Sequence, residues 1–159
     1  NLARFTSKLA DVVRIPEPVR ADLSLNELVR SVDALTRIEC RKRNISLSLS
    51  LADPDTIIRA DGIQLEQVLV NIVKNAYEAI GHDGRIRIVT TADPPSVTVE
   101  DNGPGIPEEI RKQLFTPFFT TKPSGQGIGL MFVREVLNNH RMAFSLTSQN
   151  GCTRFEISV

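Results

Sequence analysis

The chain has 159 residues, of which 41% are hydrophobic and 24% charged, and its 19 basic side chains balance 19 acidic ones. This make-up is typical of one globular domain and excludes wholesale disorder, a disulfide scaffold and a partner, such as nucleic acid, that is attracted by net charge. No apolar run approaches the ~18 residues of a membrane-spanning helix, and two scattered cysteines are too few for a metal cage, so a cytoplasmic setting is expected.

The N-terminal segment, residues 1–15, places apolar side chains at helical spacing until Pro16 ends the run. It is either the first helix of the domain or, as we favour, the end of a helix that begins upstream. Residues 16–22 are rich in proline and predict a stiff linker. Residues 23–159 then form the main domain.

The elements of the main domain follow from caps and periodicity. Ser24 and Glu27 have the spacing of a capping box and predict a helix that ends near Arg43. Alternation of apolar side chains with serines predicts a strand over 45–51 with one buried face. The same reasoning predicts strands around 86–88, 97–99, 144–146 and 155–159, and helices at 62–80 and 127–138. We therefore expect an α+β fold, a two-layer sandwich whose helices cover one face of a mixed, mostly antiparallel sheet.

The helix at 62–80 carries an unusual polar stripe. Its members share an arc of roughly 100° on an otherwise apolar helix; they are Gln64, Gln67, Asn71, Lys74, Asn75 and Glu78. A solvated face is the simplest interpretation, but asparagine is a poor residue in helix interiors. Amide oxygens suit Mg²⁺ that shares its ligand shell with phosphates, so the two asparagines are a first, weak indication of a metal–phosphate site.

A first glycine motif, Asp-Asn-Gly-Pro-Gly-Ile at residues 101–106, follows a predicted strand. An ionised Asp101 at the strand end is only an acceptor and suits an exocyclic amine such as that of adenine. The neighbouring glycines let a flat ring approach the backbone. In isolation, an ordinary turn explains this motif equally well.

A second glycine motif, residues 125–130, opens an apolar helical run. Backbone N–H groups at a helix N-terminus suit phosphate oxygens, although a glycine hinge explains the motif about as well. Its spacing is neither that of a Rossmann site nor that of a P-loop. Between the two glycine motifs, residues 115–119 hold three phenylalanines and precede Lys122. They form either a hydrophobic cluster under a loop or the anchor of a mobile lid whose lysine meets phosphate.

The order of these motifs resembles the nucleotide-binding domain of bacterial sensor histidine kinases, within the ATPase superfamily that includes gyrase, Hsp90 and MutL. The matching segments are the N box at 71–79, the first glycine box at 101–106, the F box at 115–119, the second glycine box at 125–130 and a terminal Gly-Thr element at 151–155. The resemblance runs from about residue 22 to the end of the chain and implies the histidine kinase ATPase fold. The Thr-Thr-Lys before the second glycine box is most similar to the nitrogen-regulation type of sensor kinase.

The resemblance implies ATP and Mg²⁺ as cofactors and assigns roles residue by residue. Asn75 would ligate Mg²⁺, and Asn71 and Lys122 would be the catalytic residues. Asp101 would accept a hydrogen bond from the adenine amine, with Thr153 behind it. The full set implied to contact the nucleotide is Asn71, Asn75, Glu78, Asp101, Gly103, Gly105, Ile106, Phe118, Thr121, Lys122, Gly125, Gly127, Ile128, Gly129, Leu130 and Thr153.

The resemblance also implies partners. Residues 1–15 would end a dimerisation helix, the parent protein would be a homodimer with or without a membrane anchor, and a response regulator receiver domain would be a partner. The γ-phosphoryl group would go to a histidine on the upstream dimerisation helices. His82 and His140 lack the acid-flanked helical setting of that phosphoacceptor, so we interpret them as surface or helix-end residues.

Departures from the family pattern separate the possible activities. Hydrolases of the superfamily place a glutamate one turn before the metal-binding asparagine, whereas this chain has Asn71, whose amide cannot take a proton. We therefore expect phosphoryl transfer rather than efficient hydrolysis. The family's common His-Gly-Gly is His-Arg-Met at residues 140–142, a helix end where no effect on the chemistry is expected. The alternatives are an ATP hydrolase, with Glu78 as its base, and a non-catalytic nucleotide-sensing or docking domain.

Overall fold

The computed structural model describes residues 15–113 and 129–159. Over these ranges the chain forms seven strands and four helices, and none of the helices is long and apolar enough to cross a membrane. In chain order the elements are β1 (Ala21–Ser24), α1 (Leu25–Lys42), β2 (Ile45–Ser50), β3 (Ile57–Ala60), α2 (Gly62–Ile80), β4 (Gly84–Ala92), β5 (Pro95–Asp101), α3 (Glu108–Arg111), α4 (Gly129–Asn139), β6 (Ala143–Gln149) and β7 (Cys152–Ser158).

The main sheet has five strands in the order β2-β4-β5-β7-β6. β2 runs parallel to β4, and the other three pairings are antiparallel. Burial alternates along β7, so one face of that strand is dry. α1 packs against α2, α2 packs against α4, and the three helices contact the strands. The predicted two-layer architecture with a mixed, mostly antiparallel sheet is therefore confirmed.

Helix α1 starts where the cap spacing predicts. The Ser24 hydroxyl accepts a hydrogen bond from the Glu27 backbone N–H at 3.1 Å, which satisfies one of the free donors of the first turn. The Glu27 carboxylate pairs with Arg30 at 2.7 Å instead of returning to the cap. Only half of the capping box forms, and it is sufficient to begin the helix at Leu25.

Helix α2 has the predicted bounds because both of its ends are capped. The Asp61 carboxylate accepts a hydrogen bond from the Gln64 N–H at 3.1 Å, and Gly81 ends the helix with a φ of +79°. Its buried side chains follow helical spacing and form the centre of the core: Leu65, Val68, Leu69, Ile72, Val73 and Ala76.

Two short strands and a short helix had no counterpart in the periodicity. β1 and β3 form a separate antiparallel ribbon in which Ala21 lies opposite Ala60. Each strand has four residues, too few for an alternating pattern to stand out. β1 includes the last two residues of the segment 16–22; the domain boundary itself stays a prediction.

His140 directly follows α4, as expected for a helix-end residue, but it is buried, with 7% of its surface exposed. Its Nε2 accepts a hydrogen bond from the Asp61 backbone N–H at 3.0 Å. Its Nδ1, which lies 2.9 Å from the Val136 carbonyl oxygen, must then carry the proton and donate it there. The imidazole thus ties the end of α4 to the start of α2. His82 is exposed, as expected.

Candidate functional site

A row of three polar side chains crosses the sheet at one end of its helix-covered face. Asp101 on β5 lies opposite Thr153 on β7, and Thr153 lies opposite Ser148 on β6. Residues opposed in a ladder project from the same face, so these three side chains are neighbours. The next row on that face, two residues along each strand, is apolar; it consists of Val99, Phe155 and Leu146.

A pocket of about 80 Å³ lies between this end of the sheet and helix α2. Most of its wall is apolar, and its polar groups are Asn75, Asp101 and Thr153. This volume is below the ~300–1,000 Å³ usual for drug-sized ligands, so the pocket formed by the described residues has room for a flat ring rather than for a whole nucleotide. The lining is Ile72, Asn75, Ala76 and Ala79 from α2, Val99, Asp101, Leu146, Thr153 and Phe155 from the sheet, Gly105 and Ile106 from the loop after β5, and Leu130 from α4.

Asp101 is the acid of this pocket. Burial raises the pKa of its carboxyl group, and a hydrogen bond from the Gly103 backbone N–H to Oδ1, at 2.8 Å, lowers that pKa by a smaller amount. Among the described residues, its second oxygen, Oδ2, receives no hydrogen bond. Asp101 therefore holds one oxygen fixed and presents the other as an acceptor for a ligand donor.

Two glycines after Asp101 are required by close contacts. A Cβ atom on Gly103 would lie 2.9 Å from Asp101 Oδ1. Gly105 has a φ of +86°, and a Cβ atom there would lie 2.8 Å from Ser148 Oγ. Both distances are shorter than real Cβ contacts, and the positive φ disfavours any other residue at Gly105. Glycine therefore lets the loop close over the polar row.

The polar stripe of α2 separates into a part at the pocket and a part beside it. Asn75 lines the pocket. The Asn71 amide oxygen accepts a hydrogen bond from the Gln67 side chain at 3.3 Å, and Glu78 lies 3.9 Å from the Lys74 ammonium. Neither Asn71 nor Glu78 is among the described residues that line the pocket. One turn of helix separates Asn71 from Asn75, so it flanks the site on the same side.

The remaining sequence-based candidates have mixed outcomes. Gly129 is the first residue of α4, and Leu130 lines the pocket. Six candidates, and the F box with them, lie outside the described residues: Phe118, Thr121, Lys122, Gly125, Gly127 and Ile128. Their roles stay predictions.

Some pocket residues were not singled out from the sequence because they look like core. Val99, Leu146 and Phe155 belong to alternating strands, and periodicity gives no sign that their end of the sheet meets a pocket. Ala76 and Ala79 did carry a signal. Two small side chains at i and i+3, next to Asn75, leave room beside the helix for a ligand.

The donor set fits Mg²⁺ that is shared with phosphates. Within residues 15–113 and 129–159 there is no group of three or more His, Cys, Asp or Glu side chains that could hold a metal ion. The carbonyl oxygen of Asn75 is a hard, neutral ligand, and Mg²⁺ commonly takes one or two protein oxygens together with waters and substrate phosphates.

Comparison with known proteins gives consistent matches. Residues 60–159 match the model of the family described as histidine kinase-, DNA gyrase B- and HSP90-like ATPase. Sporulation kinase A of Bacillus subtilis is 34% identical over 99% of this chain and 27% of its own length, and the sensor histidine kinase ZraS of Escherichia coli is 33% identical over 95% and 33%. The chain therefore spans about a quarter to a third of the length of these relatives.

Solved structures agree with this match. The catalytic domain of histidine kinase ThkA superposes with a TM-score of 0.79 at 35% identity, over 87% of this chain and 93% of that domain. ThkA in complex with the response regulator protein TrrA superposes with a TM-score of 0.78 at 28% identity, over 98% of this chain and 47% of that one.

Proposed function

The chain belongs to the histidine kinase-, DNA gyrase B- and HSP90-like ATPase family as an ATP-binding catalytic domain of the sensor histidine kinase type, and from that premise we propose how it acts. It binds Mg·ATP with the adenine ring in the pocket between α2 and the sheet. It then transfers the γ-phosphoryl group to a histidine on the dimerisation helices of its parent protein. The observation that carries this proposal is the half-buried carboxylate of Asp101 at the end of an apolar pocket with room for a flat ring.

The base end of the site recognises adenine through one charged acceptor and apolar walls. The free oxygen of Asp101 accepts a hydrogen bond from the exocyclic amine, which guanine lacks at that position. Ile72, Ala76 and Phe155 contact the ring faces, and Gly105 lets the backbone come close to its edge. Partial burial of a carboxylate oxygen that receives no hydrogen bond is costly, so an amine donor that satisfies this oxygen contributes to affinity.

The phosphate end of the site uses α2 and the start of α4. Asn75 supplies a carbonyl oxygen to Mg²⁺, which when bound neutralises phosphate charge and holds the triphosphate for transfer. Asn71, one turn earlier, supports that end of the site and offers no base to activate water. Lys122 is the proposed cation for the transferred phosphoryl group, and Gly129 and Leu130 offer backbone N–H groups at the first turn of α4.

The proposal extends to the parent protein. We propose that residues 1–15 end its dimerisation helix, that the parent is a homodimer, and that a response regulator receiver domain takes the phosphoryl group from its histidine. The complex of ThkA with TrrA supports this last partner by analogy. Two unpaired cysteines suit a cytoplasmic location. The Thr-Thr-Lys before the second glycine box supports the nitrogen-regulation type.

The deciding experiment is phosphoryl transfer in the parent protein. With Mg²⁺ and ATP labelled on the γ-phosphate, we expect an acid-labile, base-stable phosphohistidine outside residues 1–159 and no stable label on His82 or His140. Nucleotide binding without any phosphohistidine would favour the non-catalytic sensor. Steady release of phosphate that Glu78→Gln abolishes would favour the hydrolase.

A further inference from the structure

Ser148 stands directly behind the base end of the pocket without lining it. Its Oγ accepts a hydrogen bond from the Ile106 backbone N–H at 3.0 Å and lies 3.2 Å from Thr153 Oγ1. Ile106 and Thr153 both line the pocket, from the loop after β5 and from β7. One hydroxyl group therefore joins two walls of the site that are 47 residues apart in the chain.

The first contact favours one direction for the hydrogen bond between Ser148 and Thr153. A hydroxyl that accepts a hydrogen bond becomes a better donor, because the oxygen is polarised. Either hydroxyl is able to donate in this contact, and acceptance from Ile106 favours the arrangement in which Ser148 donates to Thr153 Oγ1. The Thr153 hydroxyl, which is 8% exposed, then has its own proton left for the pocket.

This arrangement presents an ordered pair of groups to a purine edge. Asp101 offers an acceptor, and its neighbour Thr153 offers a donor, directly or through one water. Adenine has the complementary order, with an amine donor beside the N1 acceptor. Guanine has the reverse order, a carbonyl acceptor beside an N1–H donor.

We propose that Ser148 is a positioning residue that makes the site specific for adenine, because it orients the Thr153 hydroxyl as a donor and holds Ile106 in place. This inference rests on the proposed nucleotide-binding function and adds a residue that touches no ligand. It predicts that loss of the Ser148 hydroxyl reduces the preference for adenine over guanine nucleotides. A merely structural role would weaken the binding of both nucleotides equally.

The test is calorimetric titration of the 159-residue chain with Mg·ATP and Mg·GTP. We expect Ser148→Ala to weaken ATP binding about three- to tenfold, the effect of one lost hydrogen bond, and to leave GTP binding unchanged or stronger. The matched control is Ser145→Ala, which removes an exposed hydroxyl from the same strand. It should leave both affinities unchanged.

A second pair of variants separates the hydroxyl from packing and folding. Ser148→Thr and Ser148→Val have the same shape and both suit a strand, but only threonine keeps the hydroxyl. We expect the threonine variant to retain the ATP-to-GTP preference and the valine variant to lose it. In a cycle with Thr153→Val, Ser148→Ala should cause no further loss of preference, because it acts through the same hydroxyl.

The outcomes distinguish this inference from the function on which it rests. If the unmodified chain binds ATP in preference to GTP, and Ser148→Ala and Ser148→Val leave the ratio of affinities unchanged, the positioning role is wrong and the proposed function stands. Additive losses in the cycle would also overturn it. If the unmodified chain binds neither nucleotide, the proposed function itself is wrong.

Discussion

Replacement of Gly105 by alanine tests whether the glycine loop and the sheet are held together at Ser148. The left-handed backbone, with a φ of +86°, costs an alanine roughly 1–2 kcal/mol. The new Cβ atom would lie 2.8 Å from Ser148 Oγ, which must move and weaken its hydrogen bonds to Ile106 and Thr153. Loss of these bonds costs about 1–2 kcal/mol more. We expect Gly105→Ala to lower the free energy of unfolding by about 2–4 kcal/mol and to weaken ATP binding.

Gly81→Ala is the matched control for this prediction. Gly81 has a similar φ of +79°, but nothing lies within 4 Å of its virtual Cβ atom. Only the backbone cost of about 1–2 kcal/mol should appear, with ATP affinity unchanged. Urea unfolding measures the free energy of unfolding of both variants. Equal slopes of this free energy against urea concentration would show that the unfolded states are comparable. Equal destabilisation by the two substitutions, or unchanged ATP binding in Gly105→Ala, would refute the reasoning.

Three further predictions concern other contacts of the site and the fold. Asn75→Ala should remove the Mg²⁺-dependent part of ATP affinity; calorimetry with and without Mg²⁺ that shows no difference from the unmodified chain would contradict the metal assignment. Burial raises the pKa of Asp101, and an adenine amine favours the ionised carboxylate, so ATP affinity should fall as the pH drops through that raised pKa. The Asp101→Asn variant should lose this pH dependence. The stability of the protein without nucleotide depends on pH in the opposite sense. The folded state binds the Asp101 proton more tightly than the unfolded state, so the stability contribution of Asp101 is lost as the pH rises through its folded pKa. His140→Ala should lower the free energy of unfolding by about 1–3 kcal/mol, because it leaves the partly buried N–H of Asp61 without its acceptor. Chemical denaturation with an unchanged midpoint would show that water replaces the ring.

The sequence was sufficient for the elements that carry local signals. The cap at Ser24 is visible as a residue type, and helical spacing predicts where the helices run. Asn75 could be singled out because asparagine is unfavourable inside a helix without a reason. These features depend on neighbours within one or two turns, which is the range over which sequence patterns are informative.

Features that depend on distant neighbours could not be predicted in the same way. The buried imidazole of His140 accepts a hydrogen bond from the backbone N–H of Asp61, 79 residues away. Val99, Leu146 and Phe155 gave the same signal as any core residue, because alternation reveals which face is dry but not where along the strand a pocket opens. The sequence does not distinguish Ser148 from the other serines, because only the strand register places it opposite Thr153.

The register that assembles the polar row is itself enforced by the core. Asp101, Thr153 and Ser148 share a row only because β5, β7 and β6 pair in one register, and on each strand the apolar residue of the next row points to the same dry face. A slip by one residue would turn Val99, Phe155 and Leu146 toward solvent, at ~1.5–3 kcal/mol for each side chain. The three polar side chains therefore stay aligned through the packing of the apolar row next to them. It follows that substitutions within the polar row should change which ligand binds without changing the strand register, whereas substitutions in the apolar row should weaken the packing that sets that register.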